Sequence, residues 1–315
     1  MADKKKIATR EAYGNALAEF GGDERILVLD ADLSKSTKTE CFKKKYPERF
    51  INMGIAEANM ISTAAGLATC GKIVFASSFA MFAAGRAFEQ VRNSVCYPNL
   101  NVKVCATHAG VSVGEDGATH QALEDVAIMR ALPNMTVISP CDAVETRAAI
   151  KAAIDNYGPF YVRLGRLAVE EINDADTYKF ELGKGVTLKE GTDVTLIATG
   201  LMVGEALKAQ KILAEENISA RVINIHTIKP IDKDIIIKAA KETGALVSCE
   251  EHNVIGGLGS AVAEVLCGNF PAPLIRIGTQ DVFGKSGVPK LLLEEYHLTA
   301  KDITEAAKKS MALKK

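Results

Sequence analysis

The chain has 315 residues, room for about two domains with a core each. Its 38 basic and 39 acidic residues leave a formal net charge of −1, so no global field draws it to nucleic acid or to an anionic membrane. An anionic ligand therefore has to be met by local groups, and the absence of any uninterrupted apolar run of bilayer length excludes a spanning helix.

The start, MADKKKIATR, carries three lysines with no apolar run behind them, which predicts a cytoplasmic rather than a secreted protein. From there the first half alternates short β-branched runs with helix-length intervals: RILVLDADL (25–33), RFINMG (49–54), KIVFASSF (72–79), LNVKVCATH (100–108), MTVISP (135–140) and FYVRLG (160–165). This is the rhythm of βαβ units and a parallel sheet. Residues 57–70 are Ala-rich and stop at Gly71, and 141–156 opens with Asp142 and Glu145 in capping-box spacing. In that second helix Ala143, Ile150, Ala153 and Ile154 share one face and are expected against the sheet.

Between about 167 and 192 the pattern lapses into a charged, turn-rich stretch, so a domain boundary is expected there: 1–170, a linker at 171–191, and 192–315. A second alternation follows: DVTLIATG, a helix through GEALKAQKILAEEN, ARVINIH, a helix after Pro230, ALVSCEEH, a helix from Gly259, and LIRIGT. Four strands with three helices between them predict a second, smaller parallel α/β domain, so the fold class is α/β with two parallel-sheet domains. The seven cysteines are scattered, with no C-x-x-C pair, which reads as reduced thiols rather than disulfides or a zinc site.

Parallel sheets meet ligands at the carboxyl ends of their strands, and the chemistry-bearing stretches lie at such ends. LNVKVCATH runs into His108 and then VGEDGATHQ (113–121), which puts Glu115, Asp116 and His120 on one glycine-rich loop; a solvated turn and a ligand site are both open readings. Glu57 opens a helix right after a strand, where it serves either as a dipole cap or as a buried carboxyl able to share a proton with a ligand nitrogen. Phe79 and Phe82 follow Ser77 and Ser78 at a strand end, as core or as rings for stacking on a heteroaromatic ligand. Arg10 and Arg166 are surface charges or a phosphate fork. GGLGSAV (256–262) lacks the third glycine of a dinucleotide fingerprint and follows EEHN rather than a clean strand end, so its glycines are expected to allow close helix packing.

Taken together, IATREAYGNAL, LDADLSKS, FINMGIAEANM, SSFAMF, the run from CATHAG through LPNM, and GPFYVRLGR, followed by IHTIKPID and EEHNVIGGLGSAV, resemble the C-terminal half of transketolases over essentially the whole chain. The resemblance implies a thiamine-diphosphate pyrimidine-binding domain followed by a transketolase C-terminal domain. Glu57 matches the glutamate that hydrogen-bonds the aminopyrimidine and promotes its imino tautomer; Phe82, with Phe79 nearby, matches the aromatic pocket around that ring, and Asp32 belongs near it. His108 and His120 match the histidines that bind the sugar carbonyl and hydroxyls, Asp116 the acid that reads a hydroxyl, and Arg10, Ser36 and Arg166 the group that holds the terminal phosphate. Glu57, His108 and His120 are thus the implied catalytic residues.

The departures carry implications too. Family enzymes hold the cofactor diphosphate through a metal, in an N-terminal domain that this chain lacks. That implies a two-chain transketolase whose N-terminal, diphosphate-binding subunit keeps the magnesium, in a heterotetramer containing a homodimer of this chain, with phosphosugar substrates. Gly85 stands where the family often has a bulkier aromatic residue. The rivals are the β subunit of a 2-oxoacid dehydrogenase E1 and the matching half of 1-deoxyxylulose-5-phosphate synthase. His108 together with the VGEDG loop favours ketol transfer over both, and a non-catalytic scaffold would have no need of Glu57, His108, Asp116 and His120 together.

Overall fold

The computed structural model of the chain describes residues 6–314, so the lysines at 4 and 5 lie outside the described residues. Fourteen strands follow in order. Those of the first half are β1 (Lys6–Ala8), β2 (Ile26–Asp30), β3 (Phe50–Asn52), β4 (Ile73–Phe79), β5 (Val102–Thr107), β6 (Thr136–Ile138), β7 (Phe160–Arg163) and β8 (Ala168–Glu170). The rest are β9 (Val186–Lys189), β10 (Val194–Ala198), β11 (Ala220–Asn224), β12 (Thr227–Lys229), β13 (Leu246–Asn253) and β14 (Leu274–Thr279).

All six expected strands of the first half join one seven-stranded sheet of order β12-β6-β7-β5-β4-β2-β3, parallel except for β12. Every residue of the central β4 is buried, as a strand covered by helices on both faces requires. Tyr13, Leu17, Ala149, Ile150 and Ala153, on helices Thr9–Phe20 and Ala143–Asp155, pack with Val28, Phe75 and Phe160 on one face. Met60, Ile61 and Ala64 of helix Glu57–Thr69 pack with Val74 and Val104 on the other. Asp142 does cap its helix, accepting from the Glu145 N–H at 2.8 Å, but Glu145 returns its carboxylate to the Cys141 N–H at 2.7 Å rather than to the cap residue. Of the expected face, Ile150 and Ala153 are fully buried; Ala143 and Ile154 are only partly so, and Ala149 takes their place.

The second sheet has order β14-β13-β10-β11-β9, the first four mutually parallel and β9 antiparallel at the edge. Three features differ from the sequence reading. The charged stretch expected as a linker contains β9, whose alternating burial suits an edge strand. The strand expected at ALVSCEEH runs on to Asn253 as β13, so GGLGSAV does follow a strand end. IHTIKPID contributes β12, which crosses to the first sheet and pairs antiparallel with β6. Ile228, in its centre, is 1% exposed and belongs to the first core. Two further helices, Pro289–Glu295 and Ala300–Ala312, close the C-terminal region, the second with a full capping box at Thr299 and Asp302.

The glycines at the start of helix Leu258–Asn269 do permit close approach: a Cβ at Gly259 would meet Ser248 Oγ at 2.7 Å and the Arg276 stem at 2.9 Å. The N–H groups of Leu258 and Gly259 are taken by the Glu250 carboxylate at 2.6 and 2.8 Å, which fills the place an anionic ligand would need.

Candidate active site

Four parallel strands lying side by side, β3, β2, β4 and β5, deliver the candidate residues at their carboxyl ends. Asp30, at the end of β2, is buried and accepts from the Leu33 N–H and the Thr37 and Thr39 hydroxyls at 2.6–2.9 Å, which folds 31–39 into a fixed loop. Burial pushes the Asp30 carboxyl pKa up against those three donors. Glu57 is the first residue of its helix, 1% exposed. Its Oε2 accepts from Arg86 at 2.8 Å and its Oε1 from the Ser78 hydroxyl at 3.4 Å.

β4 ends on Phe79 and enters the π-helical turn Met81–Arg86, an irregularity that recurs at functional sites. The turn presents Phe82 and Arg86 together: the Arg86 guanidinium lies 4.5 Å from the Phe82 ring centroid. Phe79 and Phe82 stack with centroids 6.0 Å apart, and the His120 ring meets Phe82 edge-on at 5.3 Å. A Cβ at the exposed Gly85 would meet only the flexible Met81 methyl, at 2.7 Å.

His108, just past β5, has φ +58°, a conformation that costs free energy in a non-glycine residue and persists only where its surroundings enforce it. Its ring stacks on Phe79 at 3.8 Å. Arg10 donates to Nε2 at 3.1 Å, so Nε2 is the acceptor; the proton sits on Nδ1, which donates to the Thr107 hydroxyl at 2.8 Å. Burial, then the cations of Arg10 and Arg166 and the nearby His120, push the His108 pKa down to about 3, so the ring is neutral at physiological pH.

Arg10 also donates to the Ser36 carbonyl at 2.9 Å, while its buried Nε has no partner. Burial lowers the Arg10 pKa, Glu11 opposes this, and the nearby Arg166 adds to it. Arg166 donates to the Val113 carbonyl and pairs with Glu115 at 2.9 Å.

The expected residues therefore fall into two groups. Glu57, Arg86, Phe82, Phe79, His108, Arg10 and Ser36 form one unbroken chain of contacts, with His120 on Phe82. Arg166 is close enough to act electrostatically on Arg10 and His108. Asp32 and Asp116 stand outside that chain. Asp32, at φ +63°, is exposed and binds Asn52, whose amide donates to it at 2.8 Å; Asp116 is exposed at the loop tip. Ser36 enters through its backbone carbonyl rather than its hydroxyl. Arg86 was missed by the sequence reading, because nothing in AAGRAFEQ marks a charge that folds back on a helix start 29 residues earlier.

The site combines a buried carboxylate, two stacked rings, two imidazoles and three guanidiniums at the carboxyl ends of the sheet's strands. It can hold a flat heteroaromatic ring by stacking with an edge-on carboxylate, beside a polyhydroxylated, anionic ligand.

Comparison with known proteins accords with this. The transketolase pyrimidine-binding domain model matches residues 5–171, and the transketolase C-terminal domain model matches 183–303. A putative transketolase C-terminal section from Methanocaldococcus jannaschii is 53% identical, over 96% of each chain. The 6-deoxy-6-sulfo-D-fructose transketolase subunit SqwH of a Clostridium species is 46% identical over 95% of this chain and 92% of that one. Human transketolase is 40% identical across 96% of this chain but only 49% of its own length, so the chain spans about half of that relative. A solved structure described as a split gene transketolase, inactive beta4 tetramer, superposes with a TM-score of 0.92 at 57% identity, covering 98% of this chain and all of that one. The chain belongs to the transketolase family.

Proposed function

We propose that this chain is the C-terminal subunit of a thiamine-diphosphate-dependent transketolase. It transfers a two-carbon ketol unit from a ketose phosphate such as xylulose 5-phosphate to an aldose phosphate such as ribose 5-phosphate. The observation that carries the reading is the contact chain from Glu57 through Phe82 and Phe79 to His108 and Arg10, which joins a cofactor half-site to a sugar half-site.

The residues fit the cofactor's pyrimidine. Glu57 is buried with one carboxylate oxygen engaged by Arg86, and Phe82 is only partly buried, so its ring can border a heteroaromatic ligand beside Glu57. Thiamine diphosphate, when bound, supplies the carbanion chemistry that a protein side chain cannot. Glu57 would hold and exchange a proton at a pyrimidine nitrogen, and Asp32, on the neighbouring loop, would border the same pocket. Neutral His108, with Nε2 as an acceptor, would bind a sugar hydroxyl once Arg10 turns to a phosphate; His120 and Asp116 would read further hydroxyls. Arg10, Arg166 and the Ser36 segment would hold the terminal oxyanion by fork geometry.

The diphosphate and its Mg2+ would belong to an N-terminal partner subunit, as the chain's match to half of the full-length relatives supports. On this reading two copies of the chain and two partners form a heterotetramer in the cytoplasm, with the pyrimidine-binding domain at 1–170, a linker at 171–191 whose end is the edge strand β9, and the C-terminal domain at 192–315. No helix among the described residues is long and apolar enough to cross a membrane. Because one relative is named for a sulfonated ketose, sulfonate and phosphate donors are tested in the same assay.

The test is ketol transfer with thiamine diphosphate and Mg2+, by the chain alone and after adding a candidate N-terminal subunit. Activity only on addition, lost in Glu57→Ala within an intact complex, is the expected result. A fully active Glu57→Ala complex would overturn the mechanism, and activity of the chain alone would overturn the division of labour.

A further inference from the structure

The loop that carries Asp116 and His120 belongs to the first half of the chain, yet much of what holds it comes from the second. The Ser112 N–H donates to Glu251 Oε1 at 2.6 Å, a contact between residues 139 apart in sequence. Gly110, at φ +85°, lies so close that a Cβ there would overlap the Glu251 carboxylate, so only glycine lets that group reach the turn. At the far end of the loop the Gln121 amide donates to the Lys285 carbonyl at 2.9 Å and to the Val111 carbonyl at 3.1 Å.

The Glu251 side of the clamp is itself fixed. Glu251 is 5% exposed on β13, and its backbone carbonyl accepts from Arg163 at 2.9 Å. Arg163 in turn binds the Asp125 carboxylate through Nε and NH2 at 2.8 and 3.2 Å, and the Tyr161 hydroxyl donates to the same carboxylate at 2.7 Å. A buried carboxylate accepting a backbone N–H, on a strand braced by a buried ion pair, has little freedom to follow a moving loop.

We propose that Glu251 is a positioning residue for sugar recognition: its carboxylate, presented by the C-terminal sheet, fixes the Gly110–Ser112 turn and thereby the placement of His108, Asp116 and His120. This rests on the reading of those three residues as sugar ligands. A merely structural carboxylate would stabilise the whole chain without selecting this loop.

The experiment has two arms. In the first, hydrogen exchange of the chain alone is compared for wild type, Glu251→Ala, Glu251→Asp and Glu251→Gln. Asp keeps the charge but is one methylene too short to reach Ser112, and Gln keeps an acceptor oxygen at full length. Exchange over 110–121 should rise about tenfold in Ala and Asp, the factor for one lost hydrogen bond to a charged group, with β5 and β10 unchanged and Gln near wild type. In the second arm, in the reconstituted complex, KM for the phosphoketose should rise about tenfold in the same two variants, while kcat and the thiamine diphosphate affinity stay within about twofold of wild type. A uniform rise in exchange, or a loop no faster than wild type, would overturn the proposal. If Glu251→Ala does not fold, Glu251→Asp decides. Inactivity of the wild-type complex would count against the functional reading, and the exchange arm would still judge the clamp.

Discussion

Arg166 is the residue where the proposed sugar site and its loop compete. Its guanidinium is occupied by the Val113 carbonyl and by Glu115, a loop acid to which the resemblance assigns no role. Removing Glu115 leaves the Val113 contact to orient Arg166 while freeing its charge for a terminal phosphate. Glu115→Ala should therefore lower KM for a phosphorylated donor a few-fold, more at low than at moderate ionic strength because the pair is exposed. Donor titrations at two salt concentrations test this, and a raised KM would make Glu115 a support for Arg166 instead. Arg86 acts in the opposite sense, as the charged partner, among the described residues, of a buried carboxylate. Arg86→Ala should lower stability by about 1–2 kcal/mol, the low end for a hydrogen bond to a charged group because Arg86 is half-exposed. It should also weaken thiamine diphosphate binding in the complex; urea midpoints and cofactor titration measure the two effects. Neither partner was legible in the sequence. Both contacts join residues 29 or more positions apart, and composition and period say nothing about which charge a side chain will meet.

At the scale of elements, the legible parts were those with a strong local signal. The six apolar runs of the first half became strands because parallel strands buried on both faces need continuous apolar sequence, and the Asp142 cap is a local hydrogen bond that its spacing announces. The misread elements lack such a signal. β12 is three residues long, flanked by His226 and Pro230, and is a strand only because β6 lies open beside it. β9 has the charged, alternating pattern of an edge and looked like linker. The strand ALVSCEEH was legible, but the burial of Glu250, Glu251 and His252 at its end was not, because no hydrophobic period reveals burial that is balanced by specific donors. Because β12 inserts Ile228 into the first core, Ile228→Ala should destabilise the chain by about 2–4 kcal/mol, the usual cost of emptying a filled core site. Urea unfolding followed by two probes, one in each half, should shift as one transition. Separate transitions would mean that β12 is a loose annex.

The whole molecule is held at the junction of its halves by buried polar groups as well as by apolar packing. Glu145 accepts from Asn224 and Tyr178, the Ser139 N–H donates to the His226 carbonyl, and Glu251 holds the Gly110–Ser112 turn. His226 lies fully buried beside this seam, with its ring against Phe180 at 4.2 Å, its Nδ1 on the Thr227 hydroxyl and its Nε2 without a partner. Burial alone pushes its pKa down to about 4. The unfolded chain takes up that proton near pH 6.5, the folded chain only near 4, so between those values the unfolded state binds more protons and folding stability rises with pH. Stability present above pH 6.5 is therefore lost as the pH falls toward 4, by about 3 kcal/mol for His226, and His108 adds to the same slope over a window reaching down to about pH 3. Urea midpoints at pH 7.5, 6.0 and 5.0 should fall steadily in the wild type. In His226→Gln, which removes the buried imidazole from the seam, the decline should be visibly shallower. An equal decline in both proteins would show that His226 is not the source of the acid sensitivity, and that the buried imidazole is protonated in the folded state at little cost.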